Sequence, residues 1–217
     1  MHSRITVVIP AAGEGKRFRE AGYDTPKPLI PVLDVPMVQR VLANVTPAGA
    51  TAFVIGRDLV GATEGTLDTI LRAERLIDPE GGLLIALVDQ LVDFAVDDFV
   101  KVGDTADGAI ITFASGRPDL SYVDVDDQGV ITRIVDKEVV SDTAVAGVYY
   151  FRRAREFMDC ARSVVHNEER GYRGEYVISS AIARMLRRGN RLMAYRAETT
   201  ILGTPEDLWA YEKCQTW

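Results

Sequence analysis

The chain has 217 residues, 47% of them hydrophobic and 26% charged, with 25 Lys and Arg against 32 Asp and Glu for a net charge of −7. This composition excludes a disordered, collagen-like or disulfide-scaffold protein. The acidic balance counts against a nucleic-acid partner. Cys160 and Cys214 are too few for a four-cysteine zinc site, and His2 and His166 lie too far apart to suggest a histidine-rich one. The apolar run Ile5 to Ile9 stops at Pro10, and the longest uncharged stretch, Val41 to Gly56, contains Asn44 and Pro47. Neither suits a signal peptide or a membrane span, so a cytoplasmic protein without membrane partners is expected. A homo-oligomer is compatible with the sequence.

In chain order, the β-branched run Ile5 to Ile9 predicts a buried strand, followed by the glycine-containing loop Ala11-Ala-Gly-Glu-Gly-Lys-Arg-Phe18. Thr25-Pro-Lys-Pro28 is a stiff turn, because each proline biases its predecessor away from helix. Pro36 to Val45 predicts a helix with Pro36 at its first position and Met37, Val38, Val41, Leu42 and Val45 on one face. Thr51 to Ile55 predicts a strand, Thr63 to Ile77 a helix capped by Thr63, and Gly82 to Val88 an apolar strand running into Asp89. Strands alternating with helices over about 90 residues predict a parallel sheet covered on both faces.

The texture then changes. Gly108 to Phe113, Ser121 to Val125, Val130 to Val135 and Ala144 to Phe151 predict strands, with a hairpin turn at Asp126-Asp-Gln-Gly129. Arg153 to Val165 and Tyr176 to Arg188 predict helices. Arg191 to Arg196 and Thr199 to Leu202 predict late strands, and Thr204 is placed to cap a final helix. Asp93, Asp97 and Asp98 read as a solvated acidic face.

The segment Pro10 to Pro28 carries the most chemistry. Glycines directly after a strand let backbone N–H groups approach phosphate oxygens closely. A dinucleotide fingerprint is excluded because Phe18 stands where its third glycine belongs, and a P-loop is excluded by Pro10 and Arg17 at its fixed positions. What remains is Gly-x-Gly-x-Arg, with Pro-Lys-Pro ten residues beyond Arg17.

Ala-Ala-Gly-Glu-Gly-Lys-Arg-Phe followed by Pro-Lys-Pro-Leu-Ile-Pro-Val resembles the N-terminal signature of the sugar-phosphate nucleotidyltransferases. These enzymes join a nucleoside triphosphate to a sugar 1-phosphate and release pyrophosphate. Further motifs follow in the family's order. They are Thr63-Glu-Gly65, Ile85-Ala-Leu-Val-Asp-Gln90, Val135-Asp-Lys-Glu138, then Gly147-Val-Tyr-Tyr-Phe151 with Gly174-Glu-Tyr-Val177, and Leu202-Gly-Thr-Pro-Glu-Asp207. The resemblance implies a Rossmann-like three-layer α/β/α fold. Its mixed, mostly parallel central sheet would carry additional antiparallel strands in the second half. It implies one domain over residues 1–217, with a nucleotide-binding half (1–100) and a sugar-phosphate-binding half (101–217).

The resemblance also implies roles. Arg17 and Lys27 become the catalytic cations, clamping and neutralising phosphates. Ala11, Ala12, Gly13, Glu14, Gly15, Lys16, Thr63, Glu64 and Gly65 fall on the nucleotide side. Asp89, Gln90, Lys137, Gly147 and Glu175 fall on the substrate side, and Asp89 is the expected Mg²⁺ ligand. The partners implied are an NTP and a sugar 1-phosphate, or another small phosphorylated acceptor.

Two departures stand out. The family commonly places a second metal aspartate just before its late Gly-Thr; here Ile201-Leu202 is apolar, and Asp207 is the nearby substitute. Between Arg57 and Thr63 the chain is about one helix–strand unit short, since such a unit takes roughly 30 residues. Two other readings compete: a nucleotide-sugar-dependent glycosyltransferase and a non-catalytic nucleotide-binding module. Against the first, Asp89-Gln-Leu-Val-Asp93 lacks Asp-x-Asp spacing, and Asp124-Val-Asp126 falls in a hairpin.

Overall fold

A computed structural model describes residues 4–215, so His2 lies outside the described residues. The first half comprises β1 (Ile5–Pro10), the short helix α1 (Lys16–Glu20), a small hairpin of β2 (Pro31–Val32) and β3 (Val35–Pro36), and α2 (Met37–Val45). It continues through β4 (Thr51–Ile55), the one-turn α3 (Arg57–Val60), α4 (Thr66–Arg72), β5 (Gly82–Ala86), β6 (Gln90–Asp93) and α5 (Val96–Asp104). The second half holds β7 (Gly108–Ala114), β8 (Tyr122–Val125), β9 (Ile131–Val135), β10 (Thr143–Phe151) and α6 (Ala154–His166). It ends with α7 (Ile178–Arg187), β11 (Leu192–Arg196), β12 (Glu198–Ile201) and α8 (Pro205–Gln215).

Six strands cross the main sheet in the order β11-β7-β10-β5-β1-β4. Neighbours pair in parallel except along β10, which is antiparallel to both β5 and β7. The β8–β9 hairpin hangs from the rim of β10, and β6 pairs with β12 in a separate ribbon. Helices α4, α6 and α7 cover one face through Leu67, Ile70, Phe157, Ala161 and Ile182. Helices α2 and α5 cover the other through Val38, Val41, Val45, Phe99 and Val100. The mixed, mostly parallel three-layer arrangement expected from the sequence is therefore present. Two-sided cover explains why β10 is buried from Ala144 to Phe151 and apolar throughout rather than alternating. Each such Val or Phe contributes roughly 1.5–3 kcal/mol by leaving water.

Several boundaries differ from the sequence expectation, each for a local reason. Pro36 is the residue before α2, at φ −51° and ψ 135°, because it also closes the small hairpin with Pro31. The helix expected over Thr63 to Ile77 starts at Thr66, behind Gly65, and ends at Arg72 before a separate 3₁₀ turn over Glu74–Leu76. Thr63 is not its cap; the Thr63 hydroxyl shares a 2.8 Å hydrogen bond with that of Thr69. β6 and α5 have no counterpart in the sequence reading. Their signals are a four-residue strand and a helix whose buried side, Phe99, Val100 and Gly103, is interleaved with acids. The Asp126–Gly129 turn and the Thr204 cap are as expected. Thr204 accepts the Asp207 N–H at 3.1 Å and the Asp207 carboxylate accepts the Thr204 N–H at 3.1 Å, a reciprocal capping box.

The sheet ends at β4. Only α3 and a five-residue loop separate that strand from α4, and no strand lies outside it among the described residues. No helix among the described residues is long and apolar enough to cross a membrane.

Candidate active site

One edge of the sheet collects nearly all the residues singled out above. The parallel strands β1 and β5 end there, and the loops after their carboxyl ends are where open α/β sheets bind ligands. β10 runs the other way, so it is its first half that reaches this edge. The segments after β7 and β9 arrive beside it. Together these elements line a cleft of about 230 Å³.

The loop after β1 is tied down before it turns. Ala11 N–H donates to the Ile55 carbonyl, Arg57 donates to the Ala12 carbonyl, and Glu14 pairs with both Arg19 and Arg57. Gly15 then adopts φ +61°, and a Cβ there would stand 3.0 Å from the Lys27 Cβ. Glycine is needed for both the dihedral and the contact. The result sets Arg17, on α1, in the cleft wall, while Lys27, between Pro26 and Pro28, reaches the cleft-lining Asp89; neither Lys27 nor residues 11–16 line the cleft themselves. Lys16 points to solvent, where it meets Glu20.

Lys27 donates from Nζ to Asp89 Oδ2 at 2.6 Å, with side chains only 16% and 28% exposed. The same ammonium lies 3.4 Å from the Gly203 carbonyl and 5.4 Å from the centre of the Phe18 ring. Burial pushes the Asp89 carboxyl upward, but the Lys27 ammonium, helped by Arg17, outweighs it and holds the group below the usual carboxylate range. Arg17 itself approaches Asp119 at 3.8 Å.

Asp89, just beyond the carboxyl end of β5, is the carboxylate that could hold a divalent cation. Gly203 leaves open the space beside it: a Cβ at that position would sit 3.6 Å from Asp89 Oδ2 and 3.7 Å from Asp207 Oδ2. Asp207 is already committed. Both its oxygens accept from Arg117, at 2.6 and 3.2 Å, and Oδ2 also accepts the Thr204 N–H. No group of three or more His, Cys, Asp or Glu residues suited to a metal occurs among the described residues. One carboxylate, with substrate phosphates completing the shell, is a donor set that fits Mg²⁺, which keeps waters and seldom uses an all-protein cage.

The far wall is built by a bulge. The β10 register against β7 shifts between Val145 and Tyr149, and Gly147 within it has φ +62°. Its carbonyl takes the Leu87 N–H at 2.9 Å, and a Cβ would stand 2.5 Å from Gln90 Nε2. Gln90 is 4% exposed, lines the cleft, and its Nε2 has no hydrogen-bond partner. A buried donor left without a partner costs about 1–3 kcal/mol unless a water or a ligand acceptor meets it. Lys137, at φ +51°, also lines the cleft, with its ammonium 4.5 Å from the Tyr172 ring centre. Glu175 completes this side.

Thr63, Glu64 and Gly65 are not in the cleft wall; Thr66 is. Glu64 pairs with Arg170 at 2.7 Å, its N–H donates to Asp68, and its carbonyl accepts the Tyr176 N–H. This segment braces the Gly174–Tyr176 loop from behind. The sequence reading named neither Asp119 nor Ser121, and it carried Asp136 and Tyr149 only inside its motifs; all four line the cleft. Ser121 donates to Asp136 at 2.9 Å. Burial, with Asp136 and Asp89 nearby, pushes the Tyr149 phenol upward. Arg117, missed too, clamps Asp119 as well as Asp207, so its guanidinium is pushed upward and the Asp119 carboxyl downward. The Asp119 sequence signal was weak, an Arg-Pro-Asp between strands, and the link to Asp207 spans 90 residues.

No family model matches the chain. Among curated proteins it is 28% identical over 231 residues to the UTP–glucose-1-phosphate uridylyltransferase AglF of Haloferax volcanii, covering 92% of each chain. That span exceeds the matched part of this chain by about 30 positions, the size of the shortfall noted above. It is 25% identical to the low-salt glycan biosynthesis nucleotidyltransferase Agl11 of the same organism, spanning 93% of this chain but 63% of that protein. Among solved structures, the nucleoside-diphosphate-sugar pyrophosphorylase of Vibrio cholerae aligns with a TM-score of 0.78 at 20% identity, over 95% of this chain and 99% of that one. A UDP-glucose pyrophosphorylase complexed with UDP-glucose aligns with a TM-score of 0.79 at 17% identity over 98% of both chains. With its motifs in order and a three-layer sheet, the chain is similar over nine-tenths of its sequence to a sugar-phosphate nucleotidyltransferase, and it shares the fold of nucleoside-diphosphate-sugar pyrophosphorylases.

Proposed function

We propose that this protein transfers a nucleotidyl group from an NTP to a sugar 1-phosphate, or a similar small phosphorylated acceptor, and releases pyrophosphate. The observation that carries the proposal is the meeting of Arg17, Lys27 and Asp89 beside a polar cleft at the carboxyl edge of the sheet. An acceptor phosphate oxygen attacks the α-phosphorus, the bond from that phosphorus to the bridging β-oxygen breaks, and pyrophosphate carries the electron pair away. Such a step needs positioning and charge neutralisation rather than a covalent nucleophile.

Arg17 binds the β- and γ-phosphates and, on leaving, the pyrophosphate. Lys27 neutralises the oxygens of the attacked phosphate. Asp89 would hold Mg²⁺, which supplies further charge neutralisation at the triphosphate when bound. Gln90 donates its unpartnered amide to the acceptor, Gly147 leaves room for it, and Lys137 and Glu175 flank it. The loop from Ala11 to Lys16 offers backbone to the nucleotide, and residues 63–65 bear on the base through Thr66. The net charge of −7 is compatible with this, because the needed positive charge is local.

The test is pyrophosphate release from each NTP in turn, with Mg²⁺ and a panel of sugar 1-phosphates. Release that requires both substrates supports the proposal. Silence with every pair, together with hydrolysis of nucleotide sugars, favours the glycosyltransferase reading instead.

A further inference from the structure

The 2.6 Å contact between Lys27 Nζ and Asp89 Oδ2 sets two roles against each other. An ammonium this close repels any divalent cation brought to the same carboxylate, and in a part-buried site the repulsion is weakly screened. Asp207 cannot relieve the conflict, because Arg117 and the Thr204 N–H occupy its oxygens. Lys27 has somewhere to go: the Gly203 carbonyl and the Phe18 ring face lie within reach of the same Nζ. Its backbone is held by Pro26, Pro28 and the contact with Gly15, so only the side chain needs to move.

We propose that Lys27 is the resident counter-ion of Asp89. It holds the carboxylate charged and aimed, a divalent cation displaces it, and the freed ammonium then serves the phosphates. This rests on the reading of Asp89 as the metal-holding carboxylate. It has an unusual consequence in sign. Removing the charge of Lys27 tightens metal binding by the nucleotide-free protein while weakening nucleotide binding. A merely structural role for Lys27 would weaken both.

The experiment uses Mn²⁺ as the probe, with free Mn²⁺ read by electron paramagnetic resonance on the nucleotide-free protein. Nucleotide affinity is read separately by calorimetry at saturating Mg²⁺, where Lys27 is free of Asp89. Lys27→Gln is expected to bind Mn²⁺ about tenfold more tightly and nucleotide at least about tenfold more weakly. Lys27→Arg, which keeps the charge, stays within about twofold of wild type for Mn²⁺. Unchanged or weaker Mn²⁺ binding by Lys27→Gln overturns the proposal. Asp89→Asn separates the two ideas. If it abolishes Mn²⁺ binding while Lys27→Gln shows no gain, only the counter-ion role falls. If it binds Mn²⁺ like wild type, the metal-site reading falls with it. In the unmutated protein, amine acylation followed by mass spectrometry gives a reading free of folding effects. Mg²⁺ should raise labelling of Lys27 relative to Lys16 and Lys101, and no change would again count against displacement.

Discussion

Gly147→Ala probes the link between the bulge in β10 and the cleft. An alanine at φ +62° pays about 1–2 kcal/mol for the left-handed conformation. Its Cβ would also lie 2.5 and 2.8 Å from the two polar atoms of the Gln90 amide and 2.9 Å from a Leu87 methyl. Because Gln90 is buried, its amide cannot swing into solvent, and overpacking of this kind costs about 1–3 kcal/mol. The sum, roughly 2–5 kcal/mol, lowers the melting temperature by about 4–20 °C for a domain of this size. The displaced amide should also raise KM for the acceptor. Thermal melts and initial rates at fixed NTP give both numbers. Gly203→Ala is the comparison: its Cβ would make only ordinary contacts of 3.5–3.7 Å, so stability should barely change, although the new methyl crowds the space beside Asp89. A Gly147→Ala protein that melts with wild type and keeps its acceptor KM would refute the reasoning.

Three further outcomes are expected. Gln90→Met removes a buried amide whose nitrogen has no partner, so stability should hold or rise while acceptor KM increases about tenfold; a loss of stability with unchanged KM would mean the amide has a structural task. The Asp89 carboxyl is held below its ordinary value, so the unfolded chain takes up that proton first as the pH falls. Its contribution is complete above about pH 4 and is lost as pH drops through the folded value. Urea midpoints of wild type and Asp89→Asn should therefore converge between pH 6 and pH 3, and a gap that widens on acidification would contradict this. Thr204→Ala removes half of the capping box of α8 and should cost about 1 kcal/mol in denaturant unfolding, with no measurable loss implying that Asp207 holds the turn alone.

The sequence made the alternating first half legible because β1, α2, β4 and β5 carry strong local signals. These are a β-branched run, a one-sided apolar stripe and two short apolar strands. β6 and α5 escaped because a strand of four residues has almost no periodicity, and because Asp97 and Asp98 in the first turn disguise a helix buried on Phe99. In the site, Arg17, Lys27 and Asp89 were singled out by the resemblance of their motifs to the family's, and for the first two the flanking glycines and prolines also fix backbone locally. Arg117 was not, since its meaning depends on a partner 90 residues away. Asp207 shows the same limit in reverse. Spacing made it a candidate metal ligand, while the fold engages both its oxygens with Arg117 and a helix cap.

The most direct test of the central claim is ³¹P NMR of the protein with Mg²⁺, an NTP and a sugar 1-phosphate. The account predicts loss of the triphosphate and sugar-phosphate signals and growth of paired diphosphate resonances for a nucleotide-linked sugar, together with pyrophosphate in equal amount. Arg17→Ala, Lys27→Ala and Asp89→Asn should each slow this at least tenfold while remaining folded. Triphosphate converted only to diphosphate and free phosphate, with the sugar phosphate untouched, would contradict it.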